Sequence, residues 1–113
     1  MLPASKRLTK DKDIKRVNKA GQSYFSPLFK LKYLANDKSL SRFTVVVSNK
    51  VSKKAVLRNR LRRQLREIIR LNLKKIKSGH DIIVSVKSQS LGKTYQDLEN
   101  SLNLALKKSK LLK

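Results

Sequence analysis

A long amphipathic segment lies between two short, strongly apolar runs in the middle of the chain. The runs are RFTVVVS at residues 42–48 and DIIVSV at residues 81–86. Their β-branched composition is typical of buried strands. Between them, apolar residues recur at Leu57, Leu61 and Leu65 with the spacing of one helical face, which predicts a helix over residues 55–75. Two strands joined by a helix favour a parallel β-α-β unit, and such crossovers are usually right-handed.

The opposite side of this helix is strongly basic. Residues 50–77 contain twelve lysines and arginines and one acid, Glu67. Like charges four residues apart destabilise an isolated helix by about a few tenths of a kcal/mol per pair. Solvated faces usually alternate in sign, so this face indicates a polyanionic partner. The candidate binding residues are Lys50, Lys53, Lys54, Arg58, Asn59, Arg60, Arg62, Arg63, Arg66 and Arg70.

The excess of positive charge extends beyond the helix. The net charge is +22, and outside residues 50–77 the chain still has 17 basic residues against six acids. Such a field attracts nucleic acid or an anionic membrane. The helix has too broad a charged arc and too few aromatic residues for a membrane anchor. We therefore expect a nucleic-acid partner and no membrane association.

Cysteine is absent from the 113 residues. This excludes a disulfide framework, a thiolate zinc site and a cysteine nucleophile, and it fits a reducing compartment. No apolar run approaches the ~20 residues of a membrane span, and residues 1–19 lack the apolar centre of a signal peptide. A cytoplasmic protein is expected.

The remaining segments predict a single α+β domain spanning residues 1–113. Residues 1–8 are expected to form an extended arm, and Thr9 to cap a first helix over residues 10–20. An edge strand follows at residues 22–27, and a strand at residues 28–35 is expected to form an antiparallel hairpin with residues 42–48. Thr94 and Asp97 form a capping box for a last helix that ends near Ser109, and residues 110–113 are expected to fray.

Groups suited to catalysis are sparse. Five of the seven acids fall at a helix start, a turn or a cap or beside arginines, and the spacing of all seven forms no metal-ligand cluster. His80 is the only histidine, and its turn position indicates a structural or surface role. A nuclease would need clustered carboxylates or a placed acid and base. We therefore predict neither catalytic residues nor a metal site in the polypeptide.

Residues 45–67, VVVSNKVSKKAVLRNRLRRQLRE, resemble the signature of the protein component of bacterial ribonuclease P. The match consists of a Ser-x-Lys segment, Ala-Val, Arg-Asn-Arg and paired basic residues on a helix. The matching residues are Ser48, Lys50, Ala55, Val56, Arg58, Asn59, Arg60, Arg62, Arg63 and Arg66. The sequence departs from the pattern at Asn49, at the Lys53–Lys54 pair that leaves the helix without an N-cap, and at Ile14 and Asn18, where the family often has aromatic residues.

The resemblance implies an α-β-β-β-α-β-α two-layer sandwich like domain 2 of ribosomal protein S5. It also implies a left-handed crossover through the basic helix, which reverses the general expectation for β-α-β units. By resemblance, a cleft between the first helix and the sheet would hold the 5′ leader of precursor tRNA. The cleft candidates are Ile14, Val17, Asn18, Phe29, Lys32 and Ser48, and for Phe29 packing in the core is an alternative of at least equal weight. Phe29 and Lys32 project to opposite sides of a regular strand, so only a bulge or shift would bring both to one face.

The resemblance further implies a subunit of an endoribonuclease that matures the 5′ end of tRNA. The basic helix would dock on ribonuclease P RNA in a heterodimeric protein–RNA complex, and the RNA would hold the catalytic centre and most of the bound Mg²⁺. The protein would strengthen binding of precursor tRNA and lower the Mg²⁺ requirement.

Three other functions are compatible with a basic chain. A ribosomal or ribosome-assembly RNA-binding protein would have the same fold and charge, and the ordered signature at residues 48–66 argues against it. A DNA-binding protein is disfavoured because no helix-turn-helix pattern is present. A stand-alone nuclease is disfavoured by the distribution of acids.

Overall fold

The computed structural model describes residues 3–113, so the prediction for Met1 and Leu2 in the arm lies outside the described part. Three helices and four strands follow one another in the order predicted from the sequence. They are α1 (Asp11–Ala20), β1 (Gln22–Phe25), β2 (Phe29–Ala35), β3 (Arg42–Val46), α2 (Ala55–Leu71), β4 (His80–Val86) and α3 (Tyr95–Lys108). A mixed α+β fold with a single four-stranded sheet is confirmed.

The strand order of the sheet is β1-β2-β4-β3. The predicted hairpin between β2 and β3 is wrong, because β4 lies between them and pairs antiparallel with β2 and parallel with β3. β1 and β2 form the hairpin instead. β4 occupies the centre because residues 81–84 are all buried, so both of its edges and both of its faces need partners. The parallel pairing around α2 is confirmed, and the handedness of this crossover stays a prediction.

The two faces of the sheet are covered unequally. One face carries Phe29, Leu31, Phe43, Ile82 and Val84, and α2 and α3 pack on it to form the main core. The other face is covered by α1 over a small cluster. Its buried members are Leu8, Val17 and Ile83, with Ile14 and Leu34 packed against them. Because α1 has only ten residues, part of this second face stays open.

Both ends of the described chain pack more closely than predicted. Ala4–Lys6 forms a short 3₁₀ turn, and the amide of Leu8 donates to the carbonyl of Phe43 at 2.7 Å, so the arm adds to the β3 edge. Fraying of residues 110–113 is wrong: Leu111 is buried, and the amide of Lys113 donates to the carbonyl of Lys75 at 2.8 Å. Burial of an apolar residue near the end explains why the tail is ordered.

The helix boundaries agree with those predicted from the sequence at α3 and differ from them at α1 and α2. Thr94 and Asp97 form the predicted capping box, with amide-to-side-chain distances of 3.1 and 3.3 Å. At α1 the capping position is Lys10, which makes no side-chain cap, so the prediction for Thr9 is wrong. α2 ends at Leu71, and a 3₁₀ turn continues over Leu73–Lys75.

Gly21 sets the distance between α1 and the sheet. A Cβ atom at this position would lie 2.5 Å from the carbonyl oxygen of Val17 and 2.8 Å from that of Tyr33. Both are backbone atoms that cannot rotate away, so only glycine allows the helix to turn into β1 here. Within residues 3–113, no helix has the length and apolar character needed to cross a membrane.

Candidate nucleic-acid interface

α2 has one buried face and one basic face. Leu61, Leu65, Ile68 and Ile69 anchor the helix in the main core. The basic face therefore points away from the sheet. Arg58 and Arg62 are half-buried, and the other predicted binding residues are exposed, namely Lys50, Lys53, Lys54, Asn59, Arg60, Arg63, Arg66 and Arg70.

The half-buried arginines fasten the loop between β3 and α2. Arg58 Nη1 donates to the carbonyl oxygen of Ser52 at 2.9 Å, and Arg62 Nη2 contacts that of Val47 at 3.5 Å. Arg62 also donates to the side-chain oxygen of Asn59. These residues thus hold the loop against the first two turns of α2, and their remaining donors stay available to a partner.

Little negative charge balances the basic face. Glu67 accepts from Arg70 Nε at 3.1 Å, and this hydrogen bond lowers the pKa of Glu67 despite an opposing contribution from burial. Within the described chain, the ion pairs given by the structure do not involve Arg60, Arg63 or Arg66. These three arginines therefore present their forked donors to solvent, in the geometry that suits phosphate oxygens.

Two open grooves flank the exposed arginines. One, of about 620 Å³, lies between α2 and Tyr95 at the start of α3. The other, of about 680 Å³, lies on the opposite side of Arg63 and includes Val56 and Asn59. A broad surface with shallow grooves and forked donors suits the backbone of a folded nucleic acid better than a small ligand, which usually occupies a concave apolar pocket.

The start of α2 is also electropositive. Its capping residue Lys54 makes no side-chain cap, as the sequence predicts, so the first amide groups of the helix lack that partner. Lys50 and Lys53 are exposed beside this end. The positive end of the helix dipole thus adds to the charge of the lysines.

The open sheet face holds some of the predicted cleft residues. Ile14 is half-buried and Asn18 is exposed on α1, Lys32 is half-buried on β2, and Ser48 is exposed just after β3. Lys32 pairs with Ile83, which packs under α1, so Lys32 belongs to the face that α1 covers.

Phe29 and Val17 do not line an open cleft. Phe29 is 0% exposed in the main core on the opposite side of the sheet, so of its two alternatives the structure favours core packing over the cleft. The strand is regular there, and the alternation of side chains sends Phe29 and Lys32 to opposite faces. Val17 is also fully buried, under α1, where it fixes the helix to the sheet.

A buried carboxylate that no sequence motif marks, Asp81, positions α1. Asp81 is 0% exposed and accepts two hydrogen bonds from Arg42, at 2.9 and 2.7 Å. It also accepts from Asn36 at 2.8 Å and from Arg16 of α1 at 3.2 Å. Arg42 in turn contacts Asp13 of α1 at 3.2 Å. The network therefore joins α1, β3 and β4 at one end of the open face.

The network also fixes the charge of Asp81. Burial by itself would raise the pKa of this carboxyl group, but the hydrogen bonds from Arg42, Asn36 and Arg16 outweigh burial and lower the pKa below its ordinary value. Asp81 is the first residue of the apolar run at residues 81–86, and its burial could have been suspected only from that position.

Comparisons with known proteins agree with this arrangement. A family model described as Ribonuclease P matches residues 2–110. The chain belongs to the ribonuclease P protein family. The ribonuclease P protein component of Pseudanabaena sp. is 40% identical over 113 residues, covering 99% of this chain and 97% of that protein.

Solved ribonuclease P proteins share the fold. A Staphylococcus aureus ribonuclease P protein, a mutant described as defective in mRNA degradation activity, superposes with a TM-score of 0.88 at 30% identity, covering 95% of this chain and 90% of that one. The Thermotoga maritima ribonuclease P protein gives a TM-score of 0.81 at 31% identity, covering 89% and 96%. Membership in the ribonuclease P family assigns the chain a role in a ribonucleoprotein of tRNA processing, with an RNA component as partner and tRNA as substrate.

Proposed function

We propose that the polypeptide is the non-catalytic subunit of a ribonuclease P that removes the 5′ leader from precursor tRNA, and that the RNA subunit holds the catalytic centre. One observation carries this proposal. The basic face of α2 begins at the β3–α2 loop, which Arg58 and Arg62 hold in place, and this loop leaves the sheet at the end of β3, a strand that also has residues on the open face. One surface can dock on an RNA while the adjoining surface receives a single strand.

The α2 face would bind the RNA subunit. Its exposed arginines match phosphate geometry, and docking would replace repulsion among like charges on the helix by attraction to the RNA backbone. The stoichiometry we propose is one protein to one RNA. The net charge of +22 would also reduce the repulsion between two large polyanions, the RNA subunit and the precursor.

The open sheet face would bind the leader. Precursor and mature tRNA differ by the leader, so contacts made only with the leader strengthen substrate binding and are lost from the product. This differential binding favours product release as well as substrate capture. Lys32 and Asn18 border the leader path in this arrangement, and Ser48 connects it to the α2 loop.

The side chains that the structure describes do not fit a Mg²⁺ site. Between residues 3 and 113, no group of three or more His, Cys, Asp or Glu side chains could hold a metal ion. The most buried acid, Asp81, already accepts hydrogen bonds from three basic or amide side chains. We therefore assign the Mg²⁺ of the complex to the RNA subunit. A cytoplasmic location stays a prediction.

The decisive experiment reconstitutes the purified protein with a bacterial ribonuclease P RNA and follows 5′ leader removal from precursor tRNA at low Mg²⁺, where the RNA alone cleaves poorly. We expect the protein to restore cleavage and to bind precursor more tightly than mature tRNA. Tight RNA binding without stimulated cleavage would contradict the proposal and favour a ribosomal role.

A protein-only arm tests the division of labour. The same protein without RNA is incubated with precursor tRNA and with an mRNA, because a Staphylococcus aureus relative is described in connection with mRNA degradation. We expect no cleavage of either substrate. Cleavage that survives removal of contaminating nuclease would place a catalytic centre in the polypeptide.

A further inference from the structure

Phe25 is a large aromatic residue that the fold leaves in solvent. It ends β1, and its side chain is 64% exposed. The strand register places it in one row across the sheet with Lys30 of β2, Ser85 of β4 and Val46 of β3. This row is one step beyond Ile83, the sheet residue that packs under α1. Phe25 therefore lies on the open part of the face assigned to the leader.

Phe25 supplies an aromatic ring that the rest of this face lacks. Ile14 and Asn18 on α1 have no aromatic surface. The other five aromatic residues belong to the main core or pack against it. They are Tyr24, Phe29, Tyr33, Phe43 and Tyr95.

Two lysines adjoin the ring. Lys30 Nζ lies 5.2 Å from the ring centroid, and Lys87 Nζ lies 5.7 Å from it. Lys87 Nζ also donates to the carbonyl oxygen of Ser26 at 2.7 Å, which holds this ammonium beside the ring. Among the described residues, the ion pairs of the structure involve neither lysine. The exposed ring and the two half-buried lysines thus form a cluster that carries two positive charges.

We propose that Phe25, Lys30 and Lys87 form a nucleotide subsite for the single-stranded 5′ leader. A base would stack on the ring, and the adjoining phosphate would accept hydrogen bonds from the two ammonium groups. Aromatic stacking suits single strands because every base has a π face. Each ammonium has three donors on a flexible stem, so Lys30 can turn to a phosphate and Lys87 can donate to one while it keeps its hydrogen bond to Ser26. The subsite rests on the proposed function, because it needs a leader on this face.

A protein partner is a weaker explanation of the exposed ring. Interface cores are depleted of charged residues and enriched in contiguous aromatic and apolar contacts. Phe25 is instead bordered by two lysines, and beyond Lys30 its row continues with Ser85 on β4 and the exposed apolar Val46 on β3. The chemistry around the ring matches a nucleotide, which offers both a flat base and a negative charge.

The test measures the affinity of the reconstituted holoenzyme for precursor tRNAs whose leaders increase in length by one nucleotide at a time. Phe25→Ala should weaken binding about fivefold or more once the leader reaches the subsite, which corresponds to the lower bound for stacking of one base. Shorter leaders and mature tRNA should bind as to the wild type. Phe25→Tyr should retain the affinity because it keeps the ring.

Leu104→Ala provides a matched control, since Leu104 is an apolar residue of α3 that is 55% exposed and lies outside both RNA surfaces. It should leave every affinity unchanged. The double variant Lys30→Gln with Lys87→Gln should reduce the salt dependence of long-leader binding, by a slope of up to about 1.4 for two lost single-strand phosphate contacts. The melting temperatures of all variants are compared to confirm that they fold.

The outcomes distinguish failure of the proposed subsite from failure of the proposed function. If the wild-type protein does not favour leader-bearing precursor, the proposed function fails whatever the variants do. If it does and Phe25→Ala binds all leaders like the wild type, the subsite is wrong and the function stands. An equal loss at every leader length would also overturn the subsite. Unchanged leader affinity together with an altered sedimentation coefficient would assign the ring to a protein contact instead.

Discussion

Asp81 shows how a single residue can stabilise a surface that it does not itself form. Its side chain is fully buried, yet four hydrogen bonds from three residues satisfy its two oxygens. Burying a carboxylate is costly unless the charge is paired and hydrogen-bonded. Because Arg16 and Asp13 belong to α1, the network also fixes the edge of the open sheet face.

Replacing Asp81 with alanine should destabilise the protein strongly. Arg42 would keep a largely buried charge without its main partner, and breaking a buried pair costs about 3–5 kcal/mol. We expect about 3 kcal/mol, because Arg16 is partly exposed and can turn to water. Urea unfolding followed by circular dichroism measures this loss. Asp37→Ala, in an exposed turn, is the matched control and should change little; a loss for Asp81→Ala below that of the control would contradict the assignment.

The same carboxyl group should make stability depend on acid pH. Its pKa is lower in the folded protein than in the unfolded chain, so its stabilising contribution is complete above the unfolded value of about 3.9 and is lost as the pH falls through the folded value. Unfolding free energies measured from pH 5 to pH 2 should fall more steeply for the wild type than for Asp81→Asn. Parallel curves, or a carboxyl titration by NMR with its midpoint above 3.9, would show that the pKa is not lowered.

At the scale of an element, α2 packs in the core with one face and forms the basic surface with the other. Its leucines and isoleucines anchor the main core, and its arginines form the basic surface. Arg58 and Arg62 contribute both to the basic surface and to the fold, because they bind the β3–α2 loop. Substitutions at these two positions would therefore mix structural and binding effects, and the exposed arginines give a cleaner test.

The double variant Arg63→Ala with Arg66→Ala should separate binding from folding. We expect weaker binding to ribonuclease P RNA and a salt-dependence slope reduced by up to about 1.8, if each arginine contacts one duplex phosphate. Folding stability should not fall, because alanine favours helix and like-charge pairs are removed. Filter binding at several salt concentrations measures the slope.

The control for this variant removes the same charge elsewhere. Lys107→Ala with Lys108→Ala alters the exposed last turn of α3, on a different element from the basic face. If both double variants reduce the salt slope equally, RNA is attracted by net charge alone and the α2 face has no special role.

For the whole molecule, the dominant property is self-repulsion. A net charge of +22 is carried by a body of 36 × 27 × 25 Å. The Debye length is about 30 Å at 0.01 M salt and about 8 Å at 0.15 M. At low salt, charges across the whole molecule therefore repel one another and destabilise the compact state. A bound RNA would relieve the same repulsion.

The melting temperature should consequently rise when salt increases from 0.01 to 0.15 M. Scanning calorimetry or circular dichroism measures the shift in the protein without RNA. Charge-reduced variants such as Lys107→Ala with Lys108→Ala should show a smaller rise. A melting temperature that falls over this range would mean that attractive ion pairs, such as those of Asp81, outweigh the repulsion.

Local patterns in the sequence determined most of the elements and the RNA-binding character. The spacing of Leu57, Leu61 and Leu65 predicts a helix whatever the tertiary structure around it. Thr94 and Asp97 cap α3 through contacts within one turn. The row of arginines is basic in any fold. Each of these depends on residues a few positions apart. The motif at residues 45–67 also indicated which protein family the chain resembles.

Only the tertiary structure decided which strands pair and which side chains meet. β4 separates β2 from β3 because its two buried faces require the centre of the sheet, whereas chain order suggested a hairpin. The place of Phe29 in the core, the exposure of Phe25 and the partners of Asp81 all follow from that pairing. These contacts join residues from 5 to 65 positions apart. Most of them lie far beyond the reach of local periodicity, and their free energy depends on burial that exists only in the assembled sheet.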